Sequence, residues 1–351
     1  MKILHTADVH LHQDHPQRLD ALNQVLQLAQ KRKADLLLIA GDLFDDDNQA
    51  NQLRPQLRSI FSDLSFPVVA IPGNHDQQAL AQGSYYGKNF NALAKQPFEI
   101  FDHDQCRIVG VPYFDGSLAP LLPQLRQQTK EGVLNILLLH CTWALPNFSD
   151  QDYGGEGHGR YLPVTEQLLT GNGFDLVLAG HFHTTYIVRD LPCGSRFVYS
   201  GSPVSITSRE QGRRGVNWID NGNCELIELD TYYHQTIQRS LTGRHWQEVI
   251  KDIDKETKSH PDDICQLLIQ VTGYAPGSEE DIHRALEILA ETRSNTTVDH
   301  LYRSVGNLLE DPLYKRIKEQ LETGEMDEKL RHEAHNMLLE AFVRQAGEDN
   351  R

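Results

Sequence analysis

The chain has 351 residues, of which 39% are hydrophobic and 23% charged, and a net charge of −16. That is ordinary for a soluble globular protein, and enough for one large core plus something smaller. It holds no apolar run long enough to span a bilayer. The segment from Met1 to His12 has one lysine, a very short apolar stretch and then Asp8 and His10, which makes no secretory signal, so a cytoplasmic protein without membrane attachment is expected. Residues 241–351 carry 14 basic against 23 acidic side chains, or −9, and the first 240 carry 19 against 26, or −7. Neither part has the basic excess of a typical nucleic-acid binder, so holding nucleic acid would require local patches, bound metal or a partner. Cys106, Cys141, Cys193, Cys224 and Cys265 are odd in number and scattered, which argues against a disulfide framework or a zinc ribbon and for reduced, buried thiols.

Along the chain, Lys2–Ala7 predicts a strand and Arg18–Gln30 an amphipathic helix. Leu36–Ala40 reads as a strand, Leu53–Phe61 as a helix and Val68–Ile71 as a strand. Further strands are expected at Arg107–Val111, Ile136–Leu139 and Leu176–Ala179. Continuous apolar runs of this kind suit strands buried on both faces of an α/β layer structure. Phe197–Tyr199, Val216–Ile219 and Cys224–Leu229 are also strand-like, and Asn221-Gly222 between the last two signals a hairpin. Beyond Tyr232–Gly243, Val249–Lys258 predicts a helix, Cys265–Thr272 a strand and Glu279–Arg293 a helix, together a small α+β unit. From Val298 onward the pattern reads as helical only. Pro312 is placed to start a helix, and Leu330, Met337, Leu338, Ala341 and Phe342 mark an apolar stripe.

Five predicted strand ends each carry side chains able to hold a metal: Asp8-Val9-His10, Gly41-Asp42, Gly73-Asn74-His75-Asp76, His140 and Gly180-His181-Phe182-His183. In open α/β sheets, ligands gather at the carboxyl ends of strands. A pair of catalytic cations about 3.5–4 Å apart needs imidazoles, carboxylates and one bridging carboxylate. Imidazole, carboxylate and amide donors without thiolate suit Mn, Fe or Zn better than a structural zinc site. Glycines before Asp42, Asn74 and His181 allow tight turns. A lone Asp-x-His would be weak evidence, and Asp42 alone could merely cap a helix. Five such segments in order are a different matter.

This order of motifs resembles the calcineurin-like metallophosphoesterases over roughly residues 1–220, with no ligand missing. The resemblance implies a four-layer αββα sandwich followed by a small α+β capping domain and C-terminal helices. It implies that Asp8, His10, Asp42 and His183 hold one cation, that Asp42, Asn74, His140 and His181 hold the other, and that Asp42 bridges them. His75 would act as general acid rather than as a ligand. Asp76 would either orient the His75 imidazole or serve as a turn residue.

Ile3-Leu4-His5-Thr6-Ala7-Asp8-Val9-His10-Leu11 is similar to the SbcD-type DNA double-strand-break repair nucleases. So are Leu38-Ile39-Ala40-Gly41-Asp42-Leu43-Phe44-Asp45 and Tyr199-Ser200-Gly201-Ser202-Pro203. This second resemblance implies a Mn-dependent DNA exonuclease or endonuclease, with Mg2+, Fe2+ and Zn2+ as alternative cations. It divides the chain into a nuclease domain (1–232), a cap that positions DNA (233–295) and a helical region (296–351). The last region would dock an SMC-like, SbcC-type ATPase, although its stripe could equally pack on this same chain. Family members often dimerise through helices near the start of the nuclease domain, which makes Leu53–Phe61 one candidate for a homodimer by this resemblance. Arg209, Arg213 and Arg214 follow the Ser-Pro turn, either to contact DNA phosphates or as a solvated loop. The Gly-rich stretch 150–161, with His158 and Arg160, could border the substrate. His12 and His15 read as loop residues rather than extra ligands. Two other functions stay open at this point: hydrolysis of a small nucleotide, which the acidic balance favours mildly, and a non-catalytic DNA-end scaffold, which the presence of His75 argues against.

Overall fold

A computed structural model describes residues 1–348 apart from 82, 145–161, 185, 193, 243, 276–277, 305–310 and 325. The stretch containing His158 and Arg160 therefore lies outside the described residues. The chain divides into two compact units, Met1–His234 and Gln235–Arg351. Among the described residues no helix is long and apolar enough to cross a membrane.

The first unit is built on two six-stranded sheets. One runs β14 (Asn223–Glu228), β13 (Gly215–Asp220), β1 (Lys2–Thr6), β2 (Leu36–Ala40), β3 (Val68–Ile71), β4 (Phe90–Ala92). The other runs β11 (Ile187–Asp190), β12 (Arg196–Tyr199), β10 (Leu176–Gly180), β7 (Leu134–His140), β6 (Cys106–Gly110), β5 (Glu99–His103). The central strands β1, β2 and β3 are parallel to one another, as are β6, β7 and β10.

Alternation along the strands divides the core in three. Leu36, Leu38, Ile136 and Leu138 point inward and share one cluster between the sheets. Leu37 and Ile39 point outward and pack with Leu22, Val25, Leu53 and Leu57. Those four come from helices α1 (Pro16–Arg32) and α2 (Asp47–Ser62). Leu137 and Leu139 pack outward with Leu125 of α3 (Leu122–Arg126) and Leu169 of α4 (Glu166–Leu169). The result is the αββα sandwich. Strands covered on both sides explain why β2 is apolar at every position: burying each of its Leu and Ile side chains contributes about 1.5–3 kcal/mol.

Helix α2 starts earlier than its apolar positions suggest, because the Asp46 carboxylate caps Asn48 and Gln49 N–H at 2.7 and 2.9 Å. Its residues Leu53, Leu57 and Phe61 are buried in its own core, and its outward face presents Gln52, Gln56 and Ser59.

The second unit contains a three-stranded sheet ordered β15 (Tyr233–Ser240), β16 (Cys265–Ala275), β17 (Thr296–Ser304), with β16 and β17 parallel. Helices α5 (Trp246–Thr257) and α6 (Glu279–Glu291) accompany it. Strand β17 corrects the helix-only reading beyond Val298. Its sequence is mostly polar, and its pairing partner lies some thirty residues away, so no local period betrays it. Pro312 does open a helix, Pro312–Thr323, capped by the Asp311 carboxylate at Leu313 N–H, 2.7 Å. The stripe on the last helix, Glu328–Glu348, divides. Leu338, Leu339 and Phe342 pack on Tyr314, Ile317 and Leu321, whereas Leu330 and Met337 are 50% and 70% exposed.

Candidate metal centre

The donor-bearing segments leave the carboxyl ends of five strands: β1, β2 and β3 of one sheet, β7 and β10 of the other. They turn so sharply that Asp8, His10, Asp42 and His181 have φ of 54°, 48°, 50° and 93°. Backbones in this region cost roughly 1–3 kcal/mol per residue and persist only when their surroundings hold them. Here the holding is specific. Asp8 N–H donates to Gly41 O at 3.1 Å and His10 N–H to Asp42 O at 3.0 Å. His181 N–H donates to both Asp8 carboxylate oxygens, at 2.9 and 3.0 Å, and His75 N–H to Asp42 Oδ1 at 3.0 Å. A side chain at Gly41 would overlap the His140 ring, so the close approach requires glycine there.

Two groups of donors result, Asp8 with His10 and His183, and Asp42 with His140 and His181, each with its donor atoms within 4.8 Å of one another. All six residues are buried, whereas Asn74 and His75 are only partly so. In the first group, the Nε2 atoms of His10 and His183 face each other at 3.2 Å. Their Nδ1 atoms face carboxylates, Asp45 Oδ1 at 3.3 Å and Glu210 Oε1 at 3.2 Å. Glu210 takes the His183 Nδ1 proton, His10 Nδ1 lies near Asp45 without a hydrogen bond of good geometry, and the two Nε2 atoms aim at one spot. In the second group, His140 Nδ1 donates to Ala40 O at 2.9 Å, which leaves Nε2 facing Asn74 Oδ1 at 2.9 Å and Asp42 Oδ2 at 3.1 Å. Asp42 Oδ2 is buried without a hydrogen bond of good geometry and lies 3.8 Å from His10 Nε2. Converging acceptors repel unless a cation or a proton sits among them. The six residues therefore fit a two-metal site, with Asp42 placed where it can serve both groups.

The electrostatics agree. Burial opposes the His140 cation, yet the Asp42 and Asp8 carboxylates push its pKa up to about 10, so a proton is held strongly at this ring. Burial would raise Asp42 as well, but His140, His10 and His75 hold it well below the usual carboxylate range. Burial raises Asp8.

Asp76 takes the turn-residue alternative, and Arg214 takes neither of the two roles open to it. Asp76 does not orient the His75 ring: its carboxylate accepts the N–H groups of Gly73 and Leu43 at 2.8 Å and Phe44 at 3.2 Å, tying two of the donor loops together. Burial, with Asp42 nearby, pushes its pKa up to about 7. His75 Nδ1 instead meets the Asp45 carbonyl oxygen at 2.9 Å, and its ring stands edge-on to His10 at 4.9 Å. Arg214 is buried, its guanidinium donating to the carbonyls of Ser202, Thr184 and His183, so it braces the His183 loop rather than reaching for DNA. Of its neighbours, Arg213 pairs with Asp230 at 2.9 Å and Arg209 is exposed. His12 and His15 lie 4.9 Å apart, ring to ring, and belong to neither donor group.

Glu210 and Asp45 were not among the residues singled out from sequence. Glu210 is fully buried, and besides His183 it accepts Ile206 N–H at 2.7 Å. Burial would raise its pKa, but His183, Ile206 N–H and Arg214 bring it to about 2. Asp45 also accepts from Arg18 at 2.9 Å, and Arg18 donates to His10 O at 2.7 Å. Carboxylates behind metal-binding imidazoles fix the ring and raise its basicity.

Comparison with known proteins agrees with this geometry. The family model for calcineurin-like phosphoesterases matches residues 1–185. The chain belongs to that family. Membership makes it a metal-dependent phosphoester hydrolase. It is similar to the SbcD component of the SbcCD nuclease of Staphylococcus epidermidis, 26% identical over 267 aligned residues, covering 65% of this chain and 68% of the relative. It is also similar to the SbcD component of the SbcCD nuclease of Staphylococcus saprophyticus, 24% identical over 386 aligned residues, covering 93% and 99%. Among solved structures, a dimetal phosphatase from Danio rerio matches with a TM-score of 0.41 at 12% identity, covering 62% of this chain and 91% of that one. GAP50 of the Plasmodium inner membrane complex matches with a TM-score of 0.42 at 14% identity, covering 65% and 84%.

Proposed function

We propose that this phosphoesterase is a Mn-dependent DNA nuclease, cutting phosphodiester bonds in DNA repair as the partner of an SMC-like, SbcC-type ATPase in the cytoplasm. The observation that carries the reading is likeness to the SbcD component of the SbcCD nuclease through both units, joined to a buried six-residue donor set.

In this reading Asp8, His10, Asp42 and His183 hold one cation, and Asp42, Asn74, His140 and His181 the other. When bound, the cation pair supplies positive charge against the phosphate oxygens and Lewis acidity toward the attacking water. His75 is the general acid. It is partly exposed beside the donor groups, the Asp45 carbonyl fixes its Nδ1, and Nε2 is proposed to deliver a proton to the leaving oxygen. Asp76 acts by holding the Asp42 and Asn74 loops in register.

The nuclease domain would span 1–232 and the DNA-positioning cap 233–295 together with strand β17, which pairs along β16. The helices of the 296–351 region would dock the ATPase, and exposed Leu313, Leu330 and Met337 support that role. Arg209 is proposed to meet DNA phosphate; Arg213 shares its charge with Asp230. The test is cleavage of end-labelled DNA with Mn2+, with and without the ATPase partner. Cleavage that stops with chelator is expected. A protein that hydrolyses a small phosphodiester but cuts no DNA under either condition would show the substrate assignment wrong and favour a nucleotide substrate.

A further inference from the structure

A third group of donors lies in the second unit, where neither the phosphoesterase family nor the proposed reaction has a use for it. His283 and Glu287 are one turn apart on α6, so their side chains share a face of that helix. Helix α6 packs along β17, which carries His300. The ligand atoms of the three residues lie within 4.8 Å of one another. Nε2 of His300 stands 2.8 Å from Glu287 Oε1, and the His283 and His300 rings lie 4.0 Å apart at 37°.

We propose that His283, Glu287 and His300 form a separate site for a borderline divalent cation of the Zn2+, Co2+ or Ni2+ class. Two imidazoles and one carboxylate are a donor set such cations favour, and three protein ligands leave a fourth tetrahedral position open to water or an outside ligand. Ligand atoms about 2.0–2.1 Å from a tetrahedral ion stand roughly 3.3 Å from one another, and here one pair stands at 2.8 Å with all three within 4.8 Å. The ring of His300 is also set from behind, since its Nδ1 meets the Tyr302 hydroxyl at 3.1 Å, which leaves Nε2 to face Glu287. A hydrogen bond between His300 and Glu287 accounts for that pair alone, and it does not account for a second imidazole placed beside the first at a tilt of 37°. Partial exposure of Glu287 and the exposed position of His283 give the ion a path in without opening the fold. Once bound, the ion clips α6 to β17 and stiffens this unit.

The experiment uses the full chain, stripped with chelator and titrated with Zn2+ alone against a chromophoric indicator. The double variant His283→Ala, His300→Ala should bind one equivalent fewer than the parent protein, while its circular dichroism and metal-free Tm stay the same. Glu287→Gln, which keeps the shape of the side chain, should weaken that same equivalent. Zn2+ should raise the Tm of the parent more than that of the double variant. Equal stoichiometry and an equal Tm response in parent and double variant would overturn the proposal.

Discussion

The two units of this chain treat polar groups and backbone angles in opposite ways. In Met1–His234 the described buried polar residues include four histidines of the metal centre, the carboxylates Asp8, Asp42, Asp76 and Glu210 around it, and the salt-bridged Arg18. In Gln235–Arg351 they are only Thr242 and Thr257. All eight described non-glycine residues with positive φ fall in the first unit, four of them on metal-centre donors. Among the described residues of the second unit, positive φ occurs at Gly273 alone. Local rules are broken where chemistry is to be done and kept where the chain only packs. The first unit needs its neighbours to hold a strained, charge-dense centre. The second follows ordinary capping and periodicity, and its cation site sits on the surface, where it asks little of the backbone.

The contrast fails most visibly at Asp42 if it is wrong. Loss of even an outer partner of a metal site costs about 10–100-fold in affinity. Asp42→Asn, which removes the one carboxylate charge placed to serve both donor groups, should weaken both cations together by more than about 100-fold, read as metal content after gel filtration. Full occupancy of either cation would break the shared role. His75→Ala should lose about 10²–10⁴-fold in kcat. Its metal content should be unchanged, because the ring belongs to neither donor group. Unaltered turnover would remove His75 as the acid.

Glu210→Ala comes next. Its carboxylate backs His183 only, so we expect a loss of about 10–100-fold in affinity for one cation and much less for the other. Glu210→Gln, still able to accept from Nδ1, should recover part of that loss. An equal fall in both affinities would mean that Glu210 acts through folding alone. This residue also marks the limit of what a sequence reveals. Donors such as Asp42 and His181 announce themselves because each follows an apolar run and a glycine, a local signature of a strand ending in a turn. Glu210 lies 27 residues beyond His183 in a loop with no period, and only the path of the chain brings the two together. Arg214 misled for the same reason: a cation in a polar loop reads as solvated until the carbonyls that bury it are placed around it. The sandwich was readable because its strands are covered on both faces and so apolar throughout. Strand β17 was not, because most of its residues are polar, its Leu301 is exposed rather than buried, and its partner is distant.

The smallest expected effect compares two glycines. Gly41 and Gly273 have φ of +93° and +92°, so alanine strains the backbone equally at each, by about 1–2 kcal/mol. They differ in what the new methyl meets. At Gly41 it meets the His140 ring, packed between Ala40 O and Asp42, which cannot yield without moving a donor. At Gly273 it meets the hydroxyls of Thr242 and Ser240 and the Thr242 backbone nitrogen, so relief there costs the hydrogen bonds those hydroxyls accept from Tyr274 and Thr242 N–H but moves no donor of the metal centre. Gly41→Ala should therefore lose metal as well as stability. Gly273→Ala should lose only stability, measured by urea denaturation, and keep its metal content and turnover. If Gly273→Ala released the metals as Gly41→Ala does, what the new methyl meets would not be what decides metal retention.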